Sequence, residues 1–390
     1  MNSERVSQWV GDVRRLLFVL AALAGLYGEC SPTFAQNWTP TSAAGGAWQA
    51  VASSADGIRF LAAINGGPIC TSTDSGATWA TTRAGNRNWT TVACSADGSK
   101  LVGAVAFGGS VYTSTNAGAT WAVTSATNQY WAGVASSANG SRLVAAAYYG
   151  PIYTSADGGA TWTTTNAPNA DWVAVASSAD GDNLLAATYG GLIYNSTNSG
   201  TTWTLSDAPS QSWAALASST DGSKAVAAAH DDMIYTSTNF GTSWVPSGAP
   251  IADWYSVASS ADGTKLVTVI SSGGIYASTN SGTDWALTSA PTANWASVAS
   301  SADGRTLVAT VYGGGIYVSG ARPKLSLSIA GANATLAWPT NSTGYALQQQ
   351  TNLAAINWTA VTNAPIVSNS QCCVKVPLSG VRHFYRLRSQ

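Results

Sequence analysis

Glutamate is almost missing from this chain: of 390 residues only Glu4 and Glu29 are Glu, both inside the first 35. Histidine occurs twice, at His230 and His383, and charged residues of all kinds make up only 9%. Each shortage excludes something. Two-carboxylate glycoside hydrolysis would fall to Asp alone. A Ser–His–acid triad would have to use His230 or His383, and there is no Gly-x-Ser-x-Gly elbow to present the serine. The net charge of −1 supplies no basic field for a phosphate backbone, so a nucleic-acid partner is not expected. The longest apolar run, 16–26, is too short to span a bilayer, and no stable membrane span is expected.

That short run has another use. Arg14 and Arg15 precede it, and Thr33-Phe34-Ala35 follows it with a small residue last, the layout of a secretory signal. Residues 1–35 are therefore expected to be cleaved and the remainder exported, to the medium or to the periplasm and cell envelope. Removing them takes Arg5, Arg14 and Arg15 and, on the other side, Glu4, Asp12 and Glu29. This leaves 14 basic residues against 15 acids, every one Asp. Four cysteines remain. Cys70 and Cys94 stand in neighbouring repeats and Cys372 and Cys373 are adjacent. Neither pair has zinc-ligand spacing, and in an oxidising compartment either could be a disulfide or two free thiols. No cofactor and no metal site is expected.

What the chain has in abundance is Trp (17), Gly (39) and small polar residues, a composition suited to an all-β protein with many tight turns. It is also periodic. The phrase Trp-x-x-(Val/Leu)-Ala-(Ser/Cys)-Ser-x-(Asp/Asn)-Gly starts at Trp48, Trp89, Trp131, Trp172, Trp213, Trp254 and Trp295. Roughly forty residues per repeat is the length of a four-stranded propeller blade. In the repeat that starts at Trp172, an apolar run suits a buried inner strand, and Asp180-Gly181 signals a hairpin turn. The runs 184–188 and 193–196 give the second and third strands. A turn at 196–203 leads to the fourth, and Ala208-Pro209 breaks pairing before the next repeat.

The turn into the fourth strand carries the pattern Ser-x-Asp-x-Gly-x-Thr-Trp, in register at Ser72–Trp79, Ser114–Trp121, Ser155–Trp162, Ser196–Trp203, Ser237–Trp244 and Ser278–Trp285. It resembles the Asp box, or BNR repeat, of sialidases, some xyloglucanases, sortilin and photosystem II assembly-factor-like propellers. Only Asp74 and Asp157 keep the acid; the other copies have Asn116, Asn198, Asn239 and Asn280. Asn preserves the turn's hydrogen bonds and loses the charge a calcium ion needs, so the boxes are expected to be scaffold. The sialidase family's Arg triad and Tyr–Glu pair find no counterpart here. Arg59, Lys100, Arg142, Lys224, Lys265 and Arg305 follow hairpin turns as part of the repeat, and only Arg83 and Arg87 stand outside it.

Closure follows from the spacing. In six repeats the box Trp precedes the next inner-strand Trp by ten residues, and Trp38 precedes Trp48 by the same ten. The seventh repeat loses its box at 319–321. The segment 37–43 is thus expected to supply the missing fourth strand of blade seven and close the ring, which removes sheet edges. The expected plan is signal 1–35, seven-bladed propeller 36–321 and a small β-sandwich-like module 322–390. The last has Trp338-Pro339, Gly344-Tyr345-x-Leu347-Gln348, Asn352-Leu353-x4-Trp358 and Phe384-Tyr385-Arg386-Leu387. That set resembles small C-terminal modules of bacterial secreted proteins. Its basic residues, Arg322, Lys324, Lys375, Arg382, Arg386 and Arg388, have no acid among them, which fits an ordinary solvated edge or contact with an anionic envelope surface.

Departures from the repeat point to function. Where other blades turn on Gly-Gly, Tyr-Gly or Ser-Gly between strands two and three, blade five has His230-Asp231-Asp232. These turns share a face with the links between blades, opposite the Asp boxes, where loops converge on the channel. The same face is expected to carry Asp171, Asp207 and Asp253, Arg83 and Arg87, and Phe107, Tyr148, Tyr149, Tyr189 and Tyr312. A His beside carboxylates suits acid–base work, and tyrosines suit stacking on sugar rings. Two functions fit: a non-catalytic module binding glycan or protein on this face, or an exported polysaccharide hydrolase using Asp171, Asp253 or the Asp231–Asp232 pair. An assembly factor would need a basic patch that Arg83 and Arg87 barely supply.

Overall fold

The computed structural model describes residues 37–320, 325–330, 333–339, 345–351, 358–368, 371–377 and 383–389. The predicted export signal lies outside the described residues.

One blade shows why the repeat folds as it does. In blade four the inner strand Trp172–Ser177 pairs antiparallel with Leu184–Thr188, that strand with Ile193–Ser196, and the last with the two-residue outer strand Thr204–Leu205. The second strand is buried along its whole length, so its residues must be apolar on both faces rather than alternate. Alanine dominates second strands where sheets crowd together: Ala145, Ala146, Ala186, Ala187, Ala227 and Ala228 are fully buried. The inner-strand Trp fills the space this leaves. All seven of these rings are 2% exposed or less. The core therefore lies between blades, as where Val144, Ala146 and Ile152 of blade three pack on Trp172, Val175 and Leu184 of blade four.

The seven sheets form one seven-bladed β-propeller, and two observations close it. Thr39 and Pro40 pair with Val318 and Tyr317 of the seventh blade's third strand, with the Trp38 ring 6.2 Å from that of Trp295. At the turn between first and second strands, each blade donates a backbone N–H to the carbonyl of the next. The bonds run Ala55 to Ala96, Ala138, Ala179, Thr220, Ala261, Ala302 and back to Ala55, each 2.7 or 2.8 Å. A loop of seven such bonds returns to its start only if seven blades complete a circle.

The same turns are built from Ser-x-(Asp/Asn)-Gly. Buried Ser219 donates to Asp221 Oδ1 at 2.6 Å and accepts the Lys224 N–H at 3.0 Å; equivalents recur in every blade. Gly222 has a φ of 77°, and a Cβ there would stand 2.5 Å from the Asn183 side chain of the preceding blade. Glycine is thus required twice over. The Arg59, Lys100, Arg142, Lys224 and Lys265 stems pack this way on the next blade's turn glycine or its equivalent position. Arg305 does not belong with them: Thr306 is the residue against Gly57, and Arg305 sits one position earlier.

The Asp boxes also behave as scaffold. Ser72 donates to Asp74 and accepts the Gly76 N–H, while Thr78 donates from both its N–H and its hydroxyl to Asp74. In the Asn boxes the amide donates instead, as Asn116 does to Thr120 Oγ1 at 2.8 Å. Two successive residues of the box are left-handed: Ser75, Ala117, Ser199, Phe240 and Ser281 share positive φ with the glycine that follows each.

Both propeller cysteines fill repeat positions. Cys70 stands where six other blades carry a Tyr edge-on to the inner Trp, such as Tyr194 against Trp172, and Cys94 stands where the others end their first strand in Ser. They are not bonded to each other; all four described cysteines are free thiols. Burial pushes the Cys94 thiol up to about 12, with the Asp97 charge adding to it.

The C-terminal module is a separate pair of sheets. One orders Ser326–Ala330, Asn333–Pro339, Gln371–Pro377 and Ile366–Ser368; the other has Thr359–Ala360, Tyr345–Gln350 and Phe384–Ser389. Leu336, Trp338, Val374 and Val376 from the first meet Leu347 from the second. Cys372 and Cys373 lie in an extended strand opposite Trp338 and Ala337, where successive side chains turn to opposite faces.

Candidate functional site

The turns between second and third strands do share a face with the links between blades. Isolated bridges tie one to the other at Gly109–Gln129, Gly150–Ala170, Gly191–Gln211, Asp232–Ala252 and Gly273–Ala293. The two remaining junctions are short ladders, Asn65–Asn88 with Gly67–Arg87, and Gly46–Gly314 with Ala47–Tyr312. Inner Trp indoles brace this face, as Trp131, Trp172 and Trp213 donate to the carbonyls of Gly109, Gly150 and Gly191.

Around the channel mouth, a residue ending one blade's second strand meets the residue just before the next blade's inner Trp. His230 and Asp253 are such a pair, with Nδ1 and Oδ1 2.6 Å apart. Ser271 and Asn294 are another, at 3.5 Å. Tyr148 and Asp171 occupy the same two positions two blades earlier. The structure therefore gives His230 a carboxylate, and it is Asp253, not its chain neighbours. Asp232 spends a carboxylate oxygen on the Met233 N–H at 2.6 Å, and Asp231 is exposed in a left-handed turn with φ of 52°.

Tyr148, Tyr149, Asp171 and Tyr189 come together. The Tyr148 and Tyr149 rings are edge-on with centroids 4.1 Å apart, and the Tyr189 N–H donates to the Asp171 carbonyl at 2.8 Å. The Tyr148 phenol is pushed up to about 12, first by a hydrogen bond with Tyr149, then by burial, then by the charges of its neighbours including Asp171. Phe107 meets Tyr130 edge-on at 6.1 Å. Tyr149 and Phe107 are 70% and 72% exposed, unusual for side chains this large, and both stand on left-handed backbone that lifts them from the surface. Tyr312, two junctions away, is exposed and apart from this set, its N–H donating to Asn294.

One expected residue belongs elsewhere, and two others show no link-face partner among the described residues. Asp207 accepts the Trp244 N–H at 2.9 Å and so anchors blade five's Asp box instead of facing a ligand. The Arg87 guanidinium lies 4.5 Å over the Tyr112 ring, engaged within its own blade, and Arg83 is exposed. In the C-terminal module Arg386 covers Trp358 at 4.3 Å and donates to Gln348, while Arg322, Lys324 and Arg382 lie outside the described residues, as does the side chain of Arg388. Two residues went unnoticed in the sequence. Tyr130 precedes an inner Trp, and Tyr255 follows one, in the bulge that every first strand makes; its ring is 5.8 Å from that of His230. Alignment of the repeats on their Trp shows both as aromatic where no other blade has an aromatic residue.

Among the described residues, no three His, Cys, Asp or Glu side chains gather as a metal site, and no helix is long and apolar enough to cross a membrane. No family model and no curated protein matches the chain. Solved structures do. YCF48 from Cyanidioschyzon merolae aligns with a TM-score of 0.57 at 14% identity, over 72% of this chain and 98% of that one. YCF48 bound to D1 peptide gives 0.57 at 12%, over 73% and 96%. The Cps50 (Swd1) β-propeller domain of Myceliophteria thermophila gives 0.60 at 15%, over 74% and 100%. At such identities the likeness is one of fold: the chain is similar to these β-propellers.

Proposed function

We propose that this chain is an exported, non-catalytic propeller of the Asp-box type that binds a glycan or protein ligand on its link face. The observation that carries the reading is the aromatic arc Phe107–Tyr130–Tyr148–Tyr149–Tyr189, exposed except at half-buried Tyr148 and spread over the turns and links of three successive blades. Rigid aromatic rings on a rigid ring of sheets offer contact area at little entropic cost. Six turns with the box's bonding pattern support the family type. One similar propeller is described as bound to a peptide, which supports a protein ligand by analogy. Export rests on the leader-like residues 1–35, and envelope contact on the basic C-terminal residues; Arg386 is already engaged within its module.

A hydrolase is the second reading, favoured by the His230–Asp253 contact, since a carboxylate on Nδ1 is how an imidazole is oriented for base catalysis. It lacks a nucleophile: among the described residues Nε2 has no hydroxyl or thiol in hydrogen-bonding reach, and the Tyr255 ring is what faces the imidazole. The test is a glycan and peptide array run beside a hydrolysis panel on the same compounds. The expected result is binding without turnover, lost in Tyr148→Ala or Tyr189→Ala. Turnover abolished by His230→Ala or Asp253→Asn would establish the hydrolase instead.

A further inference from the structure

The channel mouth holds two carboxylates in equivalent stations, Asp171 and Asp253, each set opposite the residue that ends the preceding blade's second strand. At Asp253 that residue is His230, and a ring nitrogen sits 2.6 Å from the carboxylate. At Asp171 it is Tyr148, and the Asp171 carboxylate has no ion pair or hydrogen bond among the described residues. Among the described residues no basic side chain pairs with it: the ion pairs involve Arg142 and His230, and Arg87 is committed to Tyr112. The open station instead has Tyr148 and Tyr149 beside it, edge-on at 4.1 Å, with Tyr189 joined through its N–H to the Asp171 backbone.

We propose that Tyr148, Tyr149, Tyr189 and Asp171 form a binding station for an alkylammonium group, of the kind a lysine or methylated lysine side chain presents. This deepens the link-face binding reading and rests on it. A cation is drawn to the electron-rich faces of aromatic rings, and methylation suits it to them because a bulky, weakly hydrated ammonium sheds its water at less cost. One carboxylate beside several rings then sets the sign of the charge that can enter. A neutral sugar would use the rings and gain little from Asp171; an anionic ligand would be repelled.

The test uses the purified chain and a matched pair of probes: choline and its carbon isostere 3,3-dimethylbutan-1-ol, which has the same shape and no charge. Calorimetry is expected to show saturable choline binding at least tenfold tighter than the isostere, with choline displaced by a peptide carrying trimethyllysine. Tyr149→Ala and Tyr189→Ala each weaken choline about tenfold, Asp171→Asn weakens it severalfold, and Tyr189→Phe keeps most of it because the ring face survives. Equal binding of the two probes overturns the proposal. So does absence of choline binding by chain with a native circular-dichroism spectrum. If neutral glycans or peptides still bind through these tyrosines while choline does not, the cation assignment falls and the link-face reading stands; if tyrosine substitutions change neither, the link-face reading falls too.

Discussion

The two faces of this ring are made from the same repeat and obey different rules. On the Asp-box face, what one blade does the others do: seven turns pass a backbone bond around the circle, and seven buried serines each hold an Asp or Asn in the same way. On the link face every junction is bridged by backbone, yet the side chains displayed there vary from blade to blade. Tyr148, Tyr189, His230, Ser271 and Tyr312 are all the residue that ends a second strand or follows it. The backbone is fixed on both faces; only the link face is free to vary what it displays. That separation is what lets a scaffold carry a site without being weakened by it.

The sharpest way to break the comparison is to damage a piece of scaffold. Trp172 is fully buried between blades three and four, edge-on to Tyr194 and bonded to Gly150. Truncation to Ala opens a cavity no small neighbour can fill, so Trp172→Ala is expected to cost about 3–5 kcal/mol. Denaturant titration measures it, as a lower midpoint. A loss under about 1 kcal/mol would mean that the inter-blade core does not hold this protein together.

Much of this was legible beforehand for a physical reason: a repeat fixes its own geometry many times over. Seven Trp at near-constant spacing gave the blades, and Trp38, ten residues before Trp48, gave the closure later seen as Thr39 opposite Val318. The site was less legible because its partners fall across blade boundaries. His230 was paired in the sequence with Asp231 and Asp232, its chain neighbours, whereas a strand end reaches the next blade's link and finds Asp253. Tyr130 and Tyr255 were lost because each sits beside a conserved-position Trp and looks like part of the repeat. Asp207 was misplaced because nothing local shows that the segment after the fourth strand meets the next blade's Asp box.

A smaller effect separates the faces by pH. Hydrogen bonds from Ser95 and Ser99 hold the Asp97 carboxyl down to about 2, and those from Ser260 and Thr264 do the same for Asp262. The unfolded carboxyl titrates near ~3.9. As pH falls the unfolded chain takes up these protons first, so the stabilisation is complete above about pH 4 and is lost as pH falls from there toward about 2. Solvent screens these turns, so each is worth about 0.5 kcal/mol. Blade three already carries Asn139 at this position and keeps the Ser137 bond at 2.9 Å. Asp97→Asn with Asp262→Asn should therefore fold normally and show a shallower loss of melting temperature between pH 4 and 2. An unchanged acid limb would show that these turns contribute nothing to it.

The smallest expected change comes from the link face, and it bears hardest on the comparison. Tyr189 is 54% exposed, and its structural bond to Asp171 comes from the backbone N–H, which survives any side chain. His230 likewise holds Ser212 through its N–H, at 2.9 Å, independently of its imidazole. Tyr189→Ala and His230→Ala should each move stability by no more than about 0.5 kcal/mol. Melting curves would show them beside the parent chain, while of the two only Tyr189→Ala is expected to weaken binding of the proposed ligand. A loss of 2 kcal/mol or so from either would mean that these side chains hold the blades together after all. The irregular stations would then be part of the scaffold, and the division between a face that builds and a face that binds would not hold.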